Sequence, residues 1–285
     1  MKALAANIED VFREAAARWT LLAYFFLSTI FIIIFAFAIN LDIVDGALAG
    51  AKLFGKEVNM DGGQEISIEK LVLGFETGFS GFLYLLCTFL AIFATAHLVP
   101  RMQEKGTIDL YLSRPVGRVK LLLSRYLAGL LLAASNVVYL MFSVWAIVAW
   151  KTGVMNARFL IGGLIIMLVI ATLLATAFLI GVITSSTAVS IMTTYGIFIF
   201  SAALVGHENY AAAVSKEWQA HLINGLYWIF PKTAELAQAV VAFVGGDELP
   251  ARMTQVLTPA PFLTTAAFGI GCLVLASWLF TRKEF

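Results

Sequence analysis

The sequence predicts an all-α polytopic membrane protein with six transmembrane helices, an interfacial helix before the first, and outer re-entrant or interfacial helices before the last. Three observations predict it. Hydrophobic residues make up 61% of the chain, and mean hydropathy is +0.90. Charged residues make up 13%, against ~25% in an ordinary soluble domain. The apolar residues also gather into runs of the ~20 residues that a helix needs to cross the hydrocarbon core. The whole chain, 1–285, reads as a single transmembrane domain.

The N-terminal stretch MKALAANIEDVFREAAARW carries acids and has no continuous apolar centre, so it does not read as a cleavable signal peptide. Leu4, Ile8, Val11, Phe12, Ala15 and Trp19 fall on one helical stripe, with Glu9, Asp10, Arg13 and Glu14 mostly opposite. Residues 1–18 are therefore expected to form a helix along the membrane surface, or else an extension of the first span. Six spans follow, at 19–40, 79–99, 121–150, 159–183, 187–205 and 261–280. The third is long enough to project past the membrane, placing Arg125 and Tyr126 at or beyond the headgroups.

Between the first two spans lies an outer loop, 41–77, in which KLFGKEV and EISIEKL flank the Gly-rich NMDGGQ and predict a small hairpin. The outer segment 207–258 holds two amphipathic patterns, one through Tyr210, Val214, Trp218 and Leu222, the other through Leu236, Val240 and Phe243. Both are expected to lie on or dip into the outer leaflet, with Phe230, Pro231 and Lys232 as the break between them. Orientation follows from basic residues near span ends, which are retained on the cytoplasmic side. Arg101, Lys105, Arg114, Arg118 and Lys120 crowd between the second and third spans, so that side is expected inside, as are both termini. Trp145, Trp150, Tyr227 and Trp228 then fall near outer boundaries, as an interfacial aromatic belt would.

Several chemistries are disfavoured. A net charge of +1 without any basic tract gives no footprint for nucleic acid. Cys87 and Cys272 sit in apolar runs and read as small hydrophobes, not as a disulfide framework. GAKLFGKE, residues 50–57, nearly matches a phosphate loop, but Glu57 stands where the magnesium-binding hydroxyl belongs and no apolar strand leads into it. His97, His207 and His221 are too scattered for a recognisable metal site, although His207, Glu208 and His221 could make a weak outward contact. No nucleophile elbow or H-E-x-x-H appears, so no catalytic residue is assigned. Charged residues in hydrocarbon cost at least ~2.5 kcal/mol and persist for a reason. Spans one, three, four and six carry none at depth, so an internal ion relay is not expected to drive transport. In span four, Ala171, Thr172, Ala175, Thr176, Ala177 and Gly181 allow close helix contact, within the subunit or between subunits.

The remaining segment, EKGTIDLYLSRPVGR, is the most punctuated. Gly106 breaks the chain, Thr107 caps, and Asp109 sits in the first turn where the helix dipole favours an acid. Ile108, Tyr111 and Leu112 share a face. Arg114 precedes Pro115 and is pushed off the helical region, so the helix stops by about Ser113. One or two turns of helix are thus expected within 101–118, held between two spans and exposing an apolar and aromatic face.

At these residues the chain resembles the E-x-G-T-[ILV]-[ED]-x-L-L-[ST]-x-P-[VI]-x-R segment of type-2, exporter-like ABC transporter permeases, and its layout is similar too. The large first outer loop resembles permeases of the nitrous oxide reductase maturation type. Tyr111 stands at a usual leucine, Asp109 where glutamate is commoner, and Gly117 where serine is frequent. The resemblance implies that this segment is a coupling helix docking into a separate ATPase, through Glu104, Gly106, Thr107, Asp109, Tyr111, Leu112, Arg114, Pro115 and Arg118. It further implies two cytoplasmic ATPase copies that bind ATP and magnesium, with no cofactor or enzymatic activity on this chain. A second permease, identical or paralogous, an outer or periplasmic accessory protein, contact with lipid, and a prokaryotic inner membrane complete the implied setting. A charge-poor pathway points to lipidic or amphipathic cargo, or to mechanical transmission to the outer face, while similar families also handle small ions and metals. The rival reading is a channel or structural subunit in which the basic loop only anchors topology; a membrane-embedded enzyme ranks below both for want of converging catalytic groups.

Overall fold

A computed structural model describes residues 20–44, 47–53, 56–57, 68–104, 106, 117–214, 216–246 and 257–283. The expected surface helix at 1–18 lies outside the described residues. The first helix, α1 (Thr20–Ala38), runs into a three-stranded antiparallel sheet, β1 (Ile39–Val44), β2 (Ala47–Leu53) and β3 (Lys56–Glu57). Beyond it come α2 (Ile68–Thr95), the short α3 (Leu98–Met102), α4 (Arg118–Thr152), α5 (Ala157–Thr184) and α6 (Thr187–Ala203). A 3-10 turn (Leu204–Gly206) leads to α7 (His207–Ala213), α8 (Glu217–Ile229), α9 (Thr233–Gly245) and α10 (Pro259–Arg282).

Among the described residues five stretches are long and apolar enough to cross a membrane: Val72–Met102, Arg118–Thr152, Ala157–Thr184, Thr187–Ala213 and Pro259–Arg282. The described apolar part of α1, Leu22–Phe37, is shorter. The fold is accordingly a multi-pass helical membrane protein.

The hairpin sits earlier than the sequence predicts. Ile39 pairs with Leu53 and Val44 with Ala47, so the strands follow directly from α1 and do not flank the Gly-rich run. The expected second arm is helical from Ile68, because Glu69 in the first turn suits the helix dipole and Val72, Phe75 and Phe79 recur at helical spacing. Residues 50–57 contribute to β2 and β3, and no helix begins at Lys56, which removes the strand-loop-helix a phosphate loop requires.

α5 is the central helix. It is apolar all round, and Phe159, Ile166, Ile170, Leu173, Leu174 and Phe178 are fully buried among α2, α4, α9, α6 and α10. Its small-residue face is used within the chain: a Cβ on Gly269 of α10 would lie 3.1 Å from the Thr172 Cα, and the Thr172 hydroxyl donates to the Thr265 carbonyl at 3.2 Å. α1 is attached more lightly. Phe35 packs on Phe79 with ring centroids 4.6 Å apart, and the Ser28 hydroxyl donates to Asn136 Oδ1 of α4 at 2.8 Å.

Of the segment 207–258, α7 and α8 contain no buried residues, whereas α9 returns into the bundle against α2 and α5. Leu236, Ala239, Val240 and Val244 are its buried face. Its start is pinned by the Tyr84 hydroxyl of α2, which donates to the Thr233 carbonyl at 2.6 Å, and by the Lys232 N–H, which donates to Thr265 Oγ1 at 2.9 Å. The expected break at Phe230–Lys232 is where the chain turns into α9.

Candidate functional site

The punctuated segment begins where a long helix is made to stop. α2 ends at Thr95, two residues turn, and α3 continues to Met102. Pro100 supplies the reason, since it has no N–H to donate back to residue 96 and its ring crowds the preceding turn. The ring packs instead against α5, 3.2 Å from where a Cβ on Gly181 would lie. The Gln103 and Glu104 N–H groups then bond the Pro100 and Arg101 carbonyls at 3.1 Å each, tightening the last turn. Gly106 follows at φ +84°, in the left-handed region that disfavours any side chain. At the far end Gly117 is extended at φ −62°, ψ 141°, and Arg118 opens α4.

Of the residues assigned to coupling, Glu104 and Gly106 are exposed and Arg118 is half-buried. Thr107, Asp109, Tyr111, Leu112, Arg114 and Pro115 lie outside the described residues.

The two ends of the segment meet a group of residues that sequence spacing did not bring together. Arg118 Nη1 donates to the carbonyls of Lys283 at 2.7 Å and Thr281 at 3.2 Å, placing a cation on the unpaired carbonyls that end α10. Lys283 Nζ donates to Gln103 Oε1 at 2.6 Å, to the Val182 carbonyl at 2.7 Å and to Ser185 Oγ at 2.8 Å. Those three bonds match the three donors of an ammonium. Gln103 Nε2 donates to the Gly181 carbonyl at 2.9 Å, and Ser185 Oγ donates to Gln103 Oε1 at 3.0 Å. Ser185 itself is left-handed at φ 53°, the C-cap of α5, with its N–H on the Gly181 carbonyl. Burial pushes the Lys283 ammonium below its ordinary pKa. Gln103, Ser185 and Lys283 carried no local sequence signal, because their contacts join residues far apart along the chain.

A family model described as "ABC-2 family transporter protein" matches residues 7–285. The chain belongs to this family. ABC-2 proteins are membrane transport components that normally work with an ATP-binding subunit. A comparison with curated proteins found no match.

The ABC-2 chain carries a second polar cluster at the opposite end of α10. A cavity of about 480 Å³ opens there beside Glu208, Asn224, Lys232 and Thr258. His207 stacks on Tyr227 at 3.6 Å between centroids, the Tyr227 hydroxyl donates to Glu235 Oε1 at 2.6 Å, and Lys232 Nζ sits 3.4 Å from the Tyr227 centroid. Burial pushes the Lys232 pKa down to about 8 against the opposing charge of Glu235, and burial together with Glu235 pushes the Tyr227 phenol up. His221 is exposed and does not line the cavity, so the outward contact of His207, Glu208 and His221 does not assemble. Among the described residues no group of three or more metal-ligating side chains gathers.

Two charged residues lie deeper in the ABC-2 fold than the sequence predicts. Glu76, expected in the outer loop, is buried on α2 and accepts from Asn156 Nδ2 at 2.8 Å. Arg125, expected at the headgroups, is 2% exposed among the helices.

Proposed function

We propose that this ABC-2 chain is the permease subunit that couples ATP hydrolysis on a separate ATPase to export, or to mechanical transmission, across the membrane. The observation that carries the reading is the segment 101–118. Within it Gly106 is left-handed and Gly117 is extended, and the Pro100 break stands before it and the long α4 after it. Such an element can be pushed from outside the membrane and pass the displacement to helices on both sides.

On this reading α1 completes six spans, the N-terminal residues lie along the inner surface, and both termini are cytoplasmic, as the basic residues around 101–120 favour. Glu104, Gly106, Thr107, Asp109, Tyr111, Leu112, Arg114, Pro115 and Arg118 form the coupling surface. Two ATPases bind ATP and magnesium, this chain carries no cofactor, and a second permease completes an inner-membrane dimer. The small sheet and the outer helices would face an accessory protein. The large first loop and the motif support a permease of the nitrous oxide reductase maturation type.

The test is co-purification with the ATPase encoded beside it, followed by Arg114→Glu. We expect the complex to form in detergent and the charge reversal to abolish stimulation of ATP hydrolysis. Absence of a complex, or full stimulation in the variant, would sink the reading.

A further inference from the structure

We propose that Lys283 is a clasp through which the coupling segment moves α10 and the α5–α6 corner as one body, which makes it a positioning residue for transmission. This rests on the coupling reading above. The observation behind it is that one residue holds both ends of the segment. The Lys283 carbonyl accepts from Arg118, just after the segment, while its ammonium donates to Gln103, just before it.

The same ammonium reaches the α5–α6 corner through the Val182 carbonyl and Ser185 Oγ. Gln103 crosses to that corner as well, through the Gly181 carbonyl. The bonds form a closed circuit: segment start, α5 end, α10 end, segment end. A displacement of the segment cannot pass to α4 alone, because the circuit ties it to the end of the central helix and to α10, which is already locked on α5 at Gly269. A charge-assisted bond is about twice as strong as a neutral one, and the ammonium makes three of them from the end of α10 to the segment start and the α5–α6 corner, so its loss opens the circuit. Ser185 is held in the left-handed region, a conformation that persists where surrounding contacts over-determine it. Lys283 and Gln103 supply those contacts.

The full chain is tested in nanodiscs in two arms. Spin labels at Glu104 and Leu275, with Cys87 and Cys272 changed to alanine, read the clasp without any ATPase. One narrow distance is expected in the otherwise unaltered chain and a broad distribution in Lys283→Met; a narrow distribution in Lys283→Met overturns the proposal. With unlabelled protein and the partner ATPase, Lys283→Met should bind the ATPase with unchanged affinity yet lose about tenfold in stimulated hydrolysis, within the usual range of coupling between sites. Lys283→Arg keeps the charge but not the three-way ammonium geometry and should fall between. Gln103→Leu should reproduce the loss, and the double variant should be no worse than either single one. Full stimulation in Lys283→Met, with the ATPase bound, overturns the proposal too. If the unaltered chain binds no ATPase, the coupling reading fails while the spin-label arm still decides the clasp. Should Lys283→Met not fold, Gln103→Leu carries both arms with the same outcomes.

Discussion

Lys232 shows how a buried cation is held at the start of α9. Its ammonium lies on the Tyr227 ring and donates to the Phe230 carbonyl at 3.3 Å, while burial lowers its pKa to about 8. Below that pH the residue is charged in both folded and unfolded states, and the burial penalty is present in full. Between pH 8 and its ordinary value of 10.5 the unfolded chain keeps the proton that the folded chain has released, so this group's contribution to stability rises with pH. The melting temperature of Lys232→Met minus that of the unaltered protein should therefore shrink from about pH 7 to about pH 10. A gap that stays constant would mean that burial does not perturb the lysine. Glycines in the segment proposed to couple separate as cleanly. A Cβ at Gly106 or at Gly117 would meet nothing within 4 Å, but only Gly106 is left-handed, at φ +84°. Gly106→Ala should cost about 1 kcal/mol in the local conformation and lower ATPase stimulation, whereas Gly117→Ala should leave stimulation unchanged.

At the scale of elements, what the sequence made legible was whatever one helix decides for itself. The apolar runs gave α4, α5, α6 and α10 to within a few residues, since a run of apolar side chains in lipid has no other way to satisfy its backbone. The Phe230–Lys232 break and the left-handed turn at Gly106 were equally readable, because proline and glycine act on their own neighbourhood. Relations between distant elements were not. EISIE, residues 65–69, alternates like a strand, yet Val72 and Phe75 need the bundle, and burial decided for helix from Ile68. The amphipathic face of α9 reads identically for a helix on the leaflet and for one against α2 and α5; only its partners, such as Tyr84, distinguish them. The clasp joins residue 103 to residue 283 and has no period to detect. The α5–α10 contact gives the prediction proper to this scale. Gly269→Leu places a side chain against the Thr172 backbone and should cost about 1–3 kcal/mol, seen as a lowered melting temperature in detergent. Gly271→Leu, on the same helix with open space around it, should cost little. Equal effects at both sites would show that the contact between these helices is not tight.

For the whole molecule the question is how force reaches a bundle whose family normally works with an ATP-binding subunit. Anchoring and transmission make different demands on the segment between α3 and α4. An anchor needs positive charge and nothing else, because retention of Lys and Arg is indifferent to their order. A transmission element needs its breaks in place, since a push is passed on only through a stiff piece of chain with fixed ends. Scrambling residues 106–115 while keeping their charges separates the two. Insertion and topology, read by labelling single cysteines from either side of the membrane, should be unchanged. ATPase stimulation should be lost, even though Gln103, Arg118 and Lys283 remain to hold the ends. If the scrambled protein still stimulates its ATPase, the order of residues between the clasped ends is irrelevant, and the segment is an anchor.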